Sequence, residues 1–187
     1  MKFWLALKAI AKFAVLLYGL PMKKNVFDLA TELGNLLLEH QAKVTVAESC
    51  TGGGIGAAIT AVAGSSNWFD VGYITYSNQA KIGLLGVSAS LIESAGAVSI
   101  DVAAAMVAGA LRISGANYGI AVSGIAGPTG AVPGKPVGSV CFGWGRYGQV
   151  QTESCIFQGS RNDVREAAVV RALILLIEYI QKDKNTV

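Results

Sequence analysis

Between Lys43 and Ile59 the chain reads KVTVAESCTGGGIGAAI. A short β-branched run ends in small polar residues and three glycines, and a helix-like pattern then resumes. Such a run is the signature of a strand that turns sharply into a helix, where glycine serves close backbone approach. It is either packing punctuation or a site, because strand-to-helix turns at the carboxyl ends of an open α/β sheet are where ligands usually sit.

The neighbouring segments decide the fold class. Upstream, Val26, Leu29, Ala30, Leu33, Leu36 and Leu37 recur at helical spacing behind a capping Asn25. Downstream, GGIGAAITAVAG predicts a helix, SSNWFD a loop, VGYITYS a second strand and NQAKIGLLG a short helix. Ser99 precedes an alanine-rich helix with Asp101 in its first turn, a recognisable start signal. YGIAVSG predicts a third strand, GIAGPTGAVPGKPVG a long loop of the kind that often carries function, and GSVCFGWG and QVQTESCIF two strands joined around RYGQ. A closing helix is expected from about Ser160 to Lys182. This alternation predicts an α/β fold, a three-layer α/β/α sandwich whose sheet is mixed but mostly parallel.

Composition narrows the function classes. The 187 residues are 52% apolar with 23 glycines, which suits one domain with a sizeable core. The net charge of +3 is spread thinly, and no basic stripe with interleaved aromatics argues for nucleic acid. Cys50, Cys141 and Cys155 are too widely spaced for a zinc site and odd in number for a disulfide framework, so a reducing cytoplasm is the expected location. Residues 1–21 differ from the rest: Lys8 and Lys12 break the apolar run, leaving Phe13 to Leu20, too short to span a bilayer. We read them as a misassigned start before Met22 or an amphipathic leader, and place the domain at residues 22–187.

Three small-residue turns, ESCTGGG, TYSNQAK and SGIAGPTG, would converge on one crevice if their strands are parallel neighbours. Ser49 sits at the first turn, where a hydroxyl stands in the open and following amides can face the same space. A serine nucleophile needs a base, yet His40 is the only histidine and closes an amphipathic helix, its ordinary place. Lys81 remains, since a lysine desolvated in a partly apolar crevice loses its proton more easily. Against this stand bland readings: an N-capping serine, a half-buried Tyr76, a solvated lysine. Cys50 is an alternative nucleophile or a small buried hydrophobe. The amides of Gly52 to Gly54 at a helix start, with Arg161 and Arg165 in the first turn of the closing helix, suggest an anion site. Pairing of those arginines with Asp163 and Glu166 explains them as well.

Taken in order, TVAESCTGG, GSSNWFDVGYITYSNQAK, GAVS, SGIAGPTG, KPVGSV and GSRNDVR resemble the C-terminal domain of the CinA (competence/damage-inducible) proteins. Stand-alone members of that family are amidohydrolases of nicotinamide nucleotides. The resemblance runs from Val26 to the final helix. It implies deamidation of nicotinamide mononucleotide to nicotinate mononucleotide, without metal or cofactor. It also implies a small-molecule nucleotide as partner, no nucleic acid, no membrane, and is compatible with a homodimer. It assigns Ser49 as nucleophile, accompanied by Tyr76 and Lys81, either of which is the immediate base. Ser123, where many members have threonine, completes the catalytic set. Glu48, Cys50, Thr51, Gly52, Gly53, Asn78, Gly124, Gly127, Arg161 and Arg165 are implied as substrate-binding. Oxyanion donors would be amides after Ser49 and the Ser123 hydroxyl. The pyrophosphatase-like domain of longer CinA proteins has no counterpart here, so a linked two-reaction enzyme is not expected. A non-catalytic nucleotide-binding or protein-interaction module is the alternative.

Overall fold

In a computed structural model the structure describes residues 25–183. The expectations for residues 1–21 lie outside them. Helix α1 (Val26–Glu39) begins at Asn25, whose side chain accepts the Asp28 amide while the Asp28 carboxylate accepts the Asn25 amide, a reciprocal cap. Then follow β1 (Val44–Glu48), α2 (Gly54–Thr60), β2 (Phe69–Ile74), α3 (Asn78–Leu85), α4 (Ala89–Ala95) and α5 (Ile100–Ser114). Strands β3 (Tyr118–Gly124), β4 (Ser139–Arg146) and β5 (Gln149–Ile156) precede the closing helix α6 (Arg161–Asp183). Helix α4, capped by Ser88, is the one helix that the sequence reading missed.

The five strands form one sheet in the order β2-β1-β3-β4-β5. Strand β1 pairs in parallel with β2 and β3, whereas β4 is antiparallel to both β3 and β5. Four strands therefore point one way and β4 alone opposes them, as the short β4–β5 connection requires.

Strand parity sorts the core into two layers. Val44 and Val46 of β1, Tyr118, Ile120 and Val122 of β3, and Val140, Phe142 and Trp144 of β4 face α1, α2 and α6. Ala47 and Ala121 face the opposite layer with Leu85, Ile92, Val102, Met106 and Val107 of α3, α4 and α5. That second face is built small: a Cβ on Gly143 would lie 2.6 Å from the Ala103 carbonyl oxygen of α5. Glycine is needed there because the backbones nearly touch. Among the described residues no helix is long and apolar enough to cross a membrane.

Candidate active site

The parity that makes the core also makes the site. Glu48 follows Val44 and Val46 toward α2, so the next residue, Ser49, turns toward the face covered by α3 to α5. On the neighbouring strand Ser123 follows Ala121 onto that same face, and the register sets Glu48 beside Val122. The Ser49 amide donates to the Val122 carbonyl at 2.9 Å, which fixes the turn against β3.

Lys81, in the second turn of α3, reaches into this corner and is 1% exposed. Its Nζ donates to Ser49 Oγ at 3.1 Å, to the Thr75 carbonyl at 2.9 Å and to the Tyr76 carbonyl at 3.3 Å. Three N–H groups thus have three partners, none of them a carboxylate. Burial pushes Lys81 below the ordinary lysine value, because a desolvated ammonium is disfavoured. Two of its N–H groups are held by carbonyls, and the third is the one aimed at Ser49 Oγ.

Glu48 does something other than touch substrate. Its buried carboxylate accepts the amides of Gly53 at 3.0 Å, Ile55 at 3.1 Å and Gly56 at 2.8 Å. The expected anion site at this helix start is therefore filled by the chain's own anion. The electrostatics of a helix N-terminus are satisfied internally, and no donors are left there for a phosphate. Gly52 and Gly53, with φ of 59° and 95°, let the turn fold back over Glu48. Thr51 is buried, its hydroxyl without a hydrogen-bond partner.

Arg165, also expected against substrate, instead donates to the Cys50 carbonyl at 3.2 Å and the Thr51 carbonyl at 3.0 Å. It clamps the turn after β1 to α6. Arg161 is the arginine at the cavity: it donates to the Gly127 carbonyl at 2.9 Å and to the Tyr76 hydroxyl at 3.1 Å. Tyr76 thus presents its carbonyl to Lys81 and its phenol to Arg161, and makes no hydrogen bond to Ser49. The Gly127–Pro128 bond is cis, and Gly127 has φ of 80°.

A cavity of about 230 Å³ gathers Ser49, Cys50, Tyr76, Asn78, Lys81, Ser123, Gly124 and Arg161. Gly124 is a packing necessity, since a Cβ there would lie 3.0 Å from Cys50 Sγ and 2.9 Å from the Ser139 carbonyl oxygen. Ser123, 1% exposed, donates its hydroxyl proton to the Ala97 carbonyl at 2.7 Å. Ala97, Val98 and Ala126 also line the cavity. Sequence reasoning missed them because apolar side chains carry no chemical signal, although Ala97 and Val98 lie in the quoted GAVS and Ala126 in SGIAGPTG. A wider groove of about 1000 Å³ between α1 and α6 holds no serine, cysteine or lysine.

Cys50 is a poor rival for Ser49. Burial, with the Glu48 carboxylate nearby, pushes its thiol up to about 11, so it is protonated at neutral pH. His40 stands at the end of α1, where its backbone amide donates to the Leu36 and Leu38 carbonyls, while its Nε2 is buried without a hydrogen-bond partner. Among the described residues no cluster of His, Cys, Asp or Glu is arranged to hold a metal ion.

The chain is similar to known proteins over most of its length. Residues 26–180 match the model of the CinA C-terminal domain. The chain is 52% identical over 153 residues to the nicotinamide-nucleotide amidohydrolase PncC of Pseudomonas putida, covering 82% of this chain and 96% of that protein. It is 49% identical to the protein of the same name from Enterobacter agglomerans, covering 85% and 98%. The crystal structure of the competence damage-inducible protein A from Klebsiella pneumoniae superposes with a TM-score of 0.83 at 38% identity, covering 84% of this chain and 98% of that one. With the family model matched over residues 26–180 and relatives at 49–52% identity covered almost end to end, the chain belongs to the CinA C-terminal domain family.

Proposed function

We propose that this protein is an amidohydrolase that removes the carboxamide nitrogen of a nicotinamide nucleotide, with nicotinamide mononucleotide as substrate and Ser49 as nucleophile. The observation that carries the reading is the Ser49–Lys81 hydrogen bond, made by a lysine that is buried and has no carboxylate partner. The names of the relatives support the substrate class.

Neutral Lys81 takes the Ser49 proton as Oγ attacks the amide carbon, forming the C–O bond and a tetrahedral oxyanion. The positive pyridinium ring draws electron density from the carbonyl and eases this attack. Gly52 and Gly54 spend their amides on the carbonyls of Ser49 and Thr51, and Gly53, Ile55 and Gly56 spend theirs on Glu48. That leaves the amides of Cys50 and Thr51 as the oxyanion donors of this reading, and the Arg165 bond to the Cys50 carbonyl fixes the peptide group that carries the Thr51 amide. Lys81 returns its proton to the departing nitrogen, the C–N bond breaks, and ammonia leaves an ester on Ser49. Water, deprotonated by the neutral amine, then hydrolyses that ester to the carboxylic acid and restores Ser49. Arg161 at the cavity is the cation offered to the nucleotide phosphate.

The test is ammonia release, with matching formation of nicotinate mononucleotide, by the purified protein given nicotinamide mononucleotide. Binding without ammonia release would favour the non-catalytic module instead.

A further inference from the structure

Ser123 was expected to help hold the oxyanion, a donor's task. Its geometry argues the opposite. The Ala97 carbonyl can only accept, so the 2.7 Å contact commits the single hydroxyl proton of Ser123 to it. The hydroxyl is nearly inaccessible at 1% exposure yet its residue lines the cavity beside Ser49 and Lys81. What remains to offer the cavity is lone pairs. Of the charged groups beside it, Lys81 Nζ and the Arg161 guanidinium can only donate, and Asn78 is the neighbouring amide at the cavity wall. The carbonyls of Thr75 and Tyr76 are already occupied by Lys81.

Resting on the amidohydrolase reading, we propose that Ser123 is the specificity-determining acceptor for the NH₂ group of the substrate carboxamide. It separates amide substrate from acid product. A carboxamide brings two N–H donors, one of which Ser123 Oγ receives, so the leaving nitrogen is held while Lys81 delivers its proton. A carboxylate brings only acceptors, and its oxygen would face the Ser123 lone pairs with no proton between them. A site built to pair with an N–H rejects the analogue lacking it far more strongly than an apolar site does. The product is thereby expelled instead of accumulating in the cavity.

The experiment uses the full chain carrying Ser49→Ala, which stops turnover, and titrates nicotinamide mononucleotide and nicotinate mononucleotide by calorimetry. The expected preference for the amide is on the order of tenfold or more. Adding Ser123→Ala should bring the two affinities to within about threefold of each other, since a methyl group neither accepts nor repels. Ser123→Cys, close in volume but with a weak acceptor sulfur, should give the same collapse and guards against a local packing failure of the alanine variant. The Lys81 charge acts in every variant alike, so the ratio isolates Ser123. An unchanged ratio, or equal weakening of both nucleotides, overturns the assignment while leaving the amidohydrolase reading intact. Binding of neither nucleotide by the Ser49→Ala protein overturns both.

Discussion

Two turns leave the sheet side by side, one after β1 and one after β2, and they use their backbone groups in opposite ways. The turn after β1 has its amides gathered inward by a carboxylate, Glu48, which the strand itself supplies. The turn after β2 has no such acid and turns its carbonyls, Thr75 and Tyr76, onto a cation that comes from the following helix. The first becomes a rigid mount for Ser49, and the second becomes a cradle for Lys81. What joins them is one hydrogen bond of 3.1 Å. The lesson is that a glycine-rich helix start is an anion site only when the chain does not bring its own anion.

The largest effect expected from breaking this pairing belongs to Ser49→Ala. It removes the covalent route, and ammonia release should fall by about a thousandfold or more, as for other units of nucleophile and base. Undiminished release would remove Ser49 from the mechanism. Stability should fall by only about 1 kcal/mol, the worth of one hydrogen bond, because Lys81 keeps the Thr75 and Tyr76 carbonyls as partners.

Breaking the mount instead of the nucleophile should cost stability first. Glu48→Ala leaves one buried and two partly buried amides without an acceptor, and with about 1–3 kcal/mol for the buried one chemical denaturation should register a loss of about 2–3 kcal/mol. If the amides were a phosphate site that Glu48 merely crowds, the variant would instead bind the nucleotide more tightly.

The clamp sharpens the comparison at smaller scale. Arg165→Met should lower kcat about tenfold while KM moves by less than about threefold, since Arg165 holds the carbonyls of Cys50 and Thr51 and not the ligand. A rise in KM with kcat preserved would return Arg165 to the phosphate. Smallest of all, Cys50→Ala should leave kcat within about threefold of the parent, because a thiol this buried is a packing group. Loss of activity there would make Cys50 the nucleophile.

Much of this was legible in the chain. The cap at Asn25, the cap at Ser99 and the β4–β5 hairpin each carry local signals, and local signals suffice for helices and turns. With its one histidine at a helix end, the sequence left Lys81 or Tyr76 as the expected base, and the structure brings Lys81 Nζ to 3.1 Å from Ser49 Oγ. The inward turn of Glu48 was harder to see. A strand buried on both faces shows no alternation, so the parity linking Val44, Val46 and Glu48 becomes visible only once the layers are known. Helix α4 is seven residues long and was not read between two glycines. The Ser123–Ala97 bond joins residues far apart in sequence, and no pattern in either segment announces it.

The central claim is that a buried Lys81, its pKa lowered by desolvation, activates Ser49, and the pH dependence of kcat/KM tests it most directly. A general base must be unprotonated. Because burial lowers the Lys81 value from that of a free lysine, the rate should rise with pH through this depressed value and level off before ordinary lysines titrate. Lys81→Arg keeps the positive charge but cannot release it near neutrality. It should bind nicotinamide mononucleotide within about tenfold of the parent, roughly 1.4 kcal/mol. Its turnover should fall to a small fraction of the parent rate, and the rising limb should vanish. Near-normal turnover by Lys81→Arg, or a parent profile that is flat until the ordinary lysine range, would contradict the account and move the base to Tyr76 or to a bound water.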